Sequence, residues 1–200
     1  MSAAQLPADP VNAARALLGA HLTANGVEIR IVETEAYGGV GEDRASHAHR
    51  GQTARNASMF GPAGLLYIYF TYGMHHCANV VVGAPGSAGA VLLRAGEVVA
   101  GADRARSRRG PRASDWELAR GPARLCLALG IDLSNDGTNL LSDAGVRLVM
   151  REPLAANLMG VGPRVGVRQA ADRPWRFWIA GDPHVSQYRP AARRGEGSSS

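Results

Sequence analysis

The chain has 200 residues, 46% hydrophobic and 20% charged, the make-up of one ordinary globular domain large enough to bury a core without metal or disulfide staples. No apolar run approaches membrane-spanning length and the N-terminus has no charged-then-apolar leader pattern, so a cytoplasmic protein away from the membrane is expected. The formal charge is +5 and the pI about 9.9, which favours a polyanionic partner, and all 22 cationic side chains are arginine, so no side-chain amine exists to form a Schiff base with a sugar aldehyde.

In chain order, Asp9-Pro10 followed by "VNAARALLG" predicts a capped helix with proline in its first turn and Gly19 at its end. "AHLTANGVEIRIVETEAY" predicts a β-hairpin turning at Asn25-Gly26. Val27, Ile29 and Ile31 alternate with Glu28, Arg30 and Val32, and the same parity would carry Glu33, Glu35 and Tyr37 onto the apolar face if the strand stays regular. Two carboxylates an alternate residue apart repel, and burying either is expensive unless something uses it. Residues 38–64 are irregular, a length of loop that in a compact domain is functional or disordered.

Three further strands follow in "LLYIYFTY", "CANVVV" and "AVLLRA". "DRARSRRGPR" (103–112) reads as a basic loop, either a phosphate contact or a solvated insertion. "DWELARGPARLCLALG" holds two short helical stretches broken at Gly121-Pro122, and "VRLVM" and "RFWIAG" are late strands. Cys77 and Cys126 are too few for a disulfide framework and read as reduced core residues. A single domain over 1–190 and a disordered tail over 191–200 are expected.

Metal chemistry finds little support. His47, His49, His75, His76 and Cys77 lie near one another in sequence, but there is no CxxC or HExxH, and adjacent His75 and His76 would face opposite sides of a strand. No GxSxG, no phosphate-binding glycine loop and no GxGxxG after a strand is present. What remains is a buried carboxylate among aromatics: Tyr67 and Tyr69 share a strand face, and Tyr72 stands just before Gly73, where a loop tip could project it as a wedge into DNA. An enzyme that acts on a base must take it out of the duplex and read it between aromatic side chains. A base alkylated on a ring nitrogen is cationic, and stacking on an electron-rich ring then gains about 0.5–2 kcal/mol. One ionised glutamate could both take a proton from water and face the cation developing on the sugar.

"IVETEAY", "RASHAHRGQTARNASMF", "GLLYIYFTYGMHHCANVV", "AVLLRA", "RGPARLCLALGI" and "RVGVRQAADRPWRFWIAGDPHVS" together closely resemble the alkyladenine (3-methyladenine) DNA glycosylase family, from about Asp9 to Ser186. The resemblance implies that Glu35 is the general base and Glu33 a structural partner of an arginine, a choice that strand periodicity alone leaves open. It implies that Tyr37 and Tyr69 are the plates that sandwich a flipped base, that His47 is a third wall, and that Tyr72 is the wedge filling the vacated space. By the same resemblance Asn79 crowds the exocyclic amine of guanine, and Arg94 helps hold the water and the nucleotide's phosphate. Arg164 is expected to support the DNA-facing surface.

The fold so implied is mixed α/β (α+β), a single domain with a curved, largely antiparallel sheet and surrounding helices. The expected protein is a monomer that needs no cofactor or metal and acts on damaged double-stranded DNA. Two other readings stay open: a sensor that binds damaged DNA without cutting, and a carbohydrate hydrolase using Glu33 and Glu35 as acid and base.

Overall fold

In the computed structural model, which describes residues 6–71, 73–142 and 145–191, helix α1 spans Pro10–Ala16. Asp9 caps it by accepting from the Asn12 N–H at 2.8 Å, and Pro10 sits in the first turn, where a missing N–H is no loss. Strands β1 (His21–Ala24) and β2 (Val27–Tyr37) form the expected hairpin. Asn25 and Gly26 both take positive φ, 49° and 75°, as a two-residue turn matched to strand twist requires.

The remaining strands are β3 (Leu66–Thr71), β4 (His75–Val82), β5 (Gly89–Ala100), β6 (Val146–Val149), β7 (Met159–Gly162) and β8 (Arg176–Ile179). Their order is β3-β4-β5-β2-β1-β6, with β7 paired to β8 and β8 to β2, and every pairing is antiparallel. β7 was not anticipated, because "MGVG" is short and half glycine, which weakens a strand; Gly160 and Gly162 are there to admit the Trp178 ring, which a Cβ at 160 would meet at 2.1 Å. The architecture is mixed α/β, as expected.

One face of the sheet carries the main core, in which Leu17, Ile29, Ile31, Leu66, Val80, Leu93 and Leu125 pack together with α1 and with α3 (Pro122–Leu129). The other face holds a smaller cluster of Ala48, Met59, Tyr67, Val81, Ala88 and Ala90, covered by the long 38–64 segment. That segment contains a 3-10 helix at Ala54–Phe60, and Asn56 ties it together by donating to the carbonyls of His47 and Gly51 at 2.9 and 3.1 Å.

The basic stretch 103–112 is mostly helix rather than loop. Helix α2 covers Ala102–Arg109 and buries only Ala105, so its stability comes from what its arginines hold. Arg106 pairs with Asp103 and Asp115, Arg109 donates to the Leu118 carbonyl at 2.9 Å, and Arg108 donates to the Ala128 carbonyl at 2.7 Å. The last contact closes the C-terminal end of α3, where helix carbonyls lack partners of their own. These three arginines brace the fold. Tyr72 and the tail 192–200 lie outside the described residues.

Candidate active site

β2 does not stay regular, and the irregularity builds the site. Ile31 pairs with Gly96, Glu33 with Ala95 and Thr34 with Leu93, so Val32 on one strand and Arg94 on the other are each passed over. Such bulges shift side-chain parity. Before the bulge Val27, Ile29 and Ile31 enter the main core; after it Ala36 does, while the Thr34 hydroxyl donates to the α1 carbonyl of Ala14 at 2.8 Å. Glu33, Glu35 and Tyr37 are therefore turned to the opposite face, and the expectation that they continue the Ile31 face is corrected. The break coincides with a change of neighbour, since β2 pairs with β1 up to Arg30 and with β8 from Glu33.

Glu35 has no exposed surface. Its Oε2 accepts from the Tyr37 hydroxyl at 2.9 Å and its Oε1 from the Val165 N–H at 2.7 Å, while the Arg94 Nε lies 3.6 Å from Oε1. Burial raises its pKa above the usual carboxylate range and the Glu33 charge adds to this, against the opposing pull of Arg94, the Val165 N–H and the Tyr37 hydroxyl. A carboxylate that accepts on both oxygens is arranged to be ionised, and each oxygen retains a further lone pair for water.

Glu33, equally buried, is bound on all sides: Arg176 Nε donates to Oε1 at 2.6 Å, the Ser186 N–H to Oε2 at 2.8 Å, and Arg94 Nε lies 3.3 Å from Oε1. Arg94 thus stands between the two carboxylates and also donates to the Ser186 hydroxyl at 3.2 Å.

Glu35 opens onto a cavity of about 380 Å³ lined by Tyr37, His47, Tyr69, Asn79 and Arg94 among others. All the site residues inferred from the sequence except Tyr72 meet there. The His47 ring stands edge-on to Tyr69 with centroids 4.5 Å apart, and its Nδ1 lies 3.0 Å from the Tyr67 hydroxyl. Partial burial and then the Arg55 charge push the His47 pKa down, which favours the neutral ring. Burial pushes the Tyr67 phenol up to about 12 and raises those of Tyr37 and Tyr69 as well, so all three rings stay neutral and electron-rich. Asn79 is buried at 4% exposure and donates to the Tyr67 carbonyl at 3.1 Å.

Arg164 is not a surface residue. It is 1% exposed and grips the buried Asp43 carboxylate with both terminal nitrogens, the second bond at 2.9 Å, while donating to the Ala36 carbonyl at 2.9 Å. Its guanidinium also lies against the Tyr37 ring, 4.7 Å from the centroid, and the Trp175 ring at 5.2 Å. Asp43 in turn accepts from the N–H groups of Gly38 and Ala45. One buried ion pair thereby joins the turn leading to His47, the back of Tyr37 and the segment whose Val165 N–H reaches Glu35. Any support that Arg164 gives to a DNA-facing surface comes from inside the fold, since an outward arginine would leave Asp43 an unpaired buried charge.

The family model described as methylpurine-DNA glycosylase matches residues 4–183. The chain belongs to the methylpurine-DNA glycosylase family. A relative from Nocardia farcinica is 54% identical over 96% of this chain and 93% of its own length. Relatives from Mycolicibacterium paratuberculosis and Mycobacterium tuberculosis are 53% and 50% identical, each over 96% of this chain and over 95% and 96% of their own lengths. All three bear the name "Putative 3-methyladenine DNA glycosylase". Membership makes this chain a DNA glycosylase, a hydrolase of N-glycosyl bonds.

Three parts of the candidate site in this methylpurine-DNA glycosylase went unread in the sequence. The Val165 N–H is a backbone donor and carries no residue-type signal. The Arg164–Asp43 pair spans 121 residues, and nothing local announces it. Tyr67, noted only as sharing a face with Tyr69, holds His47 in place. Its signal was available: a phenol on the buried face of a strand needs a partner.

Proposed function

We propose that this glycosylase swings alkylated purines, 3-methyladenine foremost, out of double-stranded DNA and hydrolyses the N-glycosidic bond with a water activated by Glu35. The observation that carries the reading is the position of Glu35: fully buried, held on both oxygens, and at the floor of a cavity walled by Tyr37, Tyr69 and His47. In the proposed step the water oxygen bonds to C1′ as the C1′–N9 bond breaks, the bonding pair leaves with the purine, and the water's proton passes to Glu35. The ionised carboxylate also faces the positive charge developing on the sugar. A base alkylated on a ring nitrogen leaves neutral, so no acid need act on it, and neutral His47 and the neutral phenols do not repel its charge.

Further parts of this reading rest on family resemblance: Tyr72 as the wedge that fills the vacated stack, Asn79 as the group that crowds guanine's exocyclic amine, and Arg94 as a partner of the water and the flipped nucleotide. With no lysine in the chain, no side chain can open the sugar through a Schiff base, so the product is an intact abasic site. The enzyme works as a cytoplasmic monomer without a cofactor. The test is single-turnover base release from duplexes bearing 3-methyladenine, 7-methylguanine, hypoxanthine or ethenoadenine, with Glu35→Gln as control. Release of 3-methyladenine by the wild type alone is expected; release at the same rate by Glu35→Gln would remove Glu35 from the chemistry.

A further inference from the structure

Beside the base cavity lies a second cleft of about 550 Å³, lined by Arg44, His49, Arg50 and Gln169, and the two share one wall, His47. Arg44 and Arg50 are exposed, as is Arg168 next to Gln169, and among the described residues none of the three makes a hydrogen bond, ion pair or ring contact. The acids of the same segment are occupied elsewhere: Glu42 accepts from the Gly39 N–H at 3.0 Å, and Asp43 is bound to Arg164. His49 adds a buried Nδ1 without a partner. Several arginines elsewhere are used by the fold itself: Arg30, Arg94, Arg106, Arg108, Arg109 and Arg176 all bond to protein groups.

Guanidinium groups gathered at one cleft without acids repel one another, and the arrangement is favourable when an anion enters. A nucleotide supplies one at the right place. Base, sugar and phosphate are covalently joined, so a base seated against His47 in the first cavity brings its flanking phosphates to the far side of the same residue. We infer that the cleft between the 44–53 segment and Gln169 seats the backbone phosphates beside the flipped nucleotide, with Arg44 and Arg50 as the ionic contacts. The inference rests on the reading of the first cavity as the base pocket, and it fixes the side of that pocket along which the damaged strand runs.

The test measures the affinity of full-length protein for a lesion-bearing duplex and for its undamaged counterpart over a series of potassium chloride concentrations. Wild type is compared with Arg44→Ala, Arg50→Ala, the double variant, and Arg50→Lys. Arg151→Ala is the control, a residue that likewise makes no hydrogen bond, ion pair or ring contact among the described residues and follows β6 at the sheet edge opposite β3. Each alanine should weaken binding about tenfold and flatten the plot of log affinity against log salt by about 0.9 for each phosphate that is no longer neutralised. Arg50→Lys should keep the wild-type slope, because it keeps the charge that neutralises the phosphate. An unchanged slope in the double variant, or an equal weakening in Arg151→Ala, overturns the inference. Failure of the base-pocket reading shows separately, as a wild type that binds both duplexes alike and releases no base.

Discussion

The Tyr37 hydroxyl donates to Oε2 of Glu35 at 2.9 Å, from two residues further along the same strand. A wall of the cavity and the candidate general base are thus one hydrogen-bonded unit, placed together by strand periodicity after the β2 bulge. The same bond favours the ionised carboxylate, so it bears on reactivity as well as shape.

Replacing Glu35 by Gln should lower base release at least about a thousandfold and leave lesion binding near wild type. The amide can still accept from the Val165 N–H and donate to Tyr37, so the fold should persist. Single-turnover kinetics beside equilibrium binding separates the two effects; a parallel loss of binding would mean that the substitution disturbs the pocket itself.

The rate of base release should fall on the acid side with a midpoint above the usual carboxylate range, because burial raises the Glu35 pKa. Tyr37→Phe removes a donor to the ionised form and should move that midpoint higher, with an effect of about 1.5–3 kcal/mol for a bond to a charged group. A midpoint that moves lower would contradict the assignment.

Stability carries the opposite mark of the same group. A carboxyl whose pKa is raised on folding stabilises the fold fully below its unfolded pKa, and that contribution is lost as pH rises through the raised value. Glu35→Gln should therefore gain on wild type in urea unfolding as pH increases from the usual carboxylate range toward neutrality. A gap between the two proteins that stays constant with pH would show that Glu35 folds without a proton-affinity penalty.

Arg164→Met should cost about 3–5 kcal/mol, since it leaves the Asp43 carboxylate buried and unpaired. Adding Asp43→Asn should recover part of that loss. Burial alone would push the Asp43 pKa up, yet Arg164 with the N–H groups of Ala45 and Gly38 holds it below the usual range. Its contribution is thus present above that range and lost as pH falls through the lowered value, so the wild type's advantage over the double variant should shrink in strong acid. Chemical denaturation across pH reads both.

Tyr72→Ala should weaken binding to lesion DNA while leaving the melting temperature near wild type. An unaltered affinity for the lesion duplex would leave the wedge role without support.

Local sequence determined much of this protein. Asp9-Pro10 dictated α1, Asn25-Gly26 dictated the first hairpin, and alternating apolar runs placed β2 to β5, because caps, turns and strands are decided by neighbours in the chain. The conjunction of Glu35, Tyr37, His47, Tyr69, Asn79 and Arg94 was legible only through long matched motifs, since no short spacing says that residues 35 and 94 will touch. What tertiary structure alone decided was direction and partnership. The bulge at Val32 turned Glu33 and Glu35 away from the core face that parity assigned them, because β2 changes from β1 to β8 at that point and Gly96 lets the strands close up, where a Cβ would lie 2.2 Å from Ile29 Cγ2. Arg164 went inward because Asp43, distant in sequence, was already buried, and the arginines of α2 became braces because α3 ends against them. A charge read in sequence is only a valence; which group answers it depends on what the fold brings within reach.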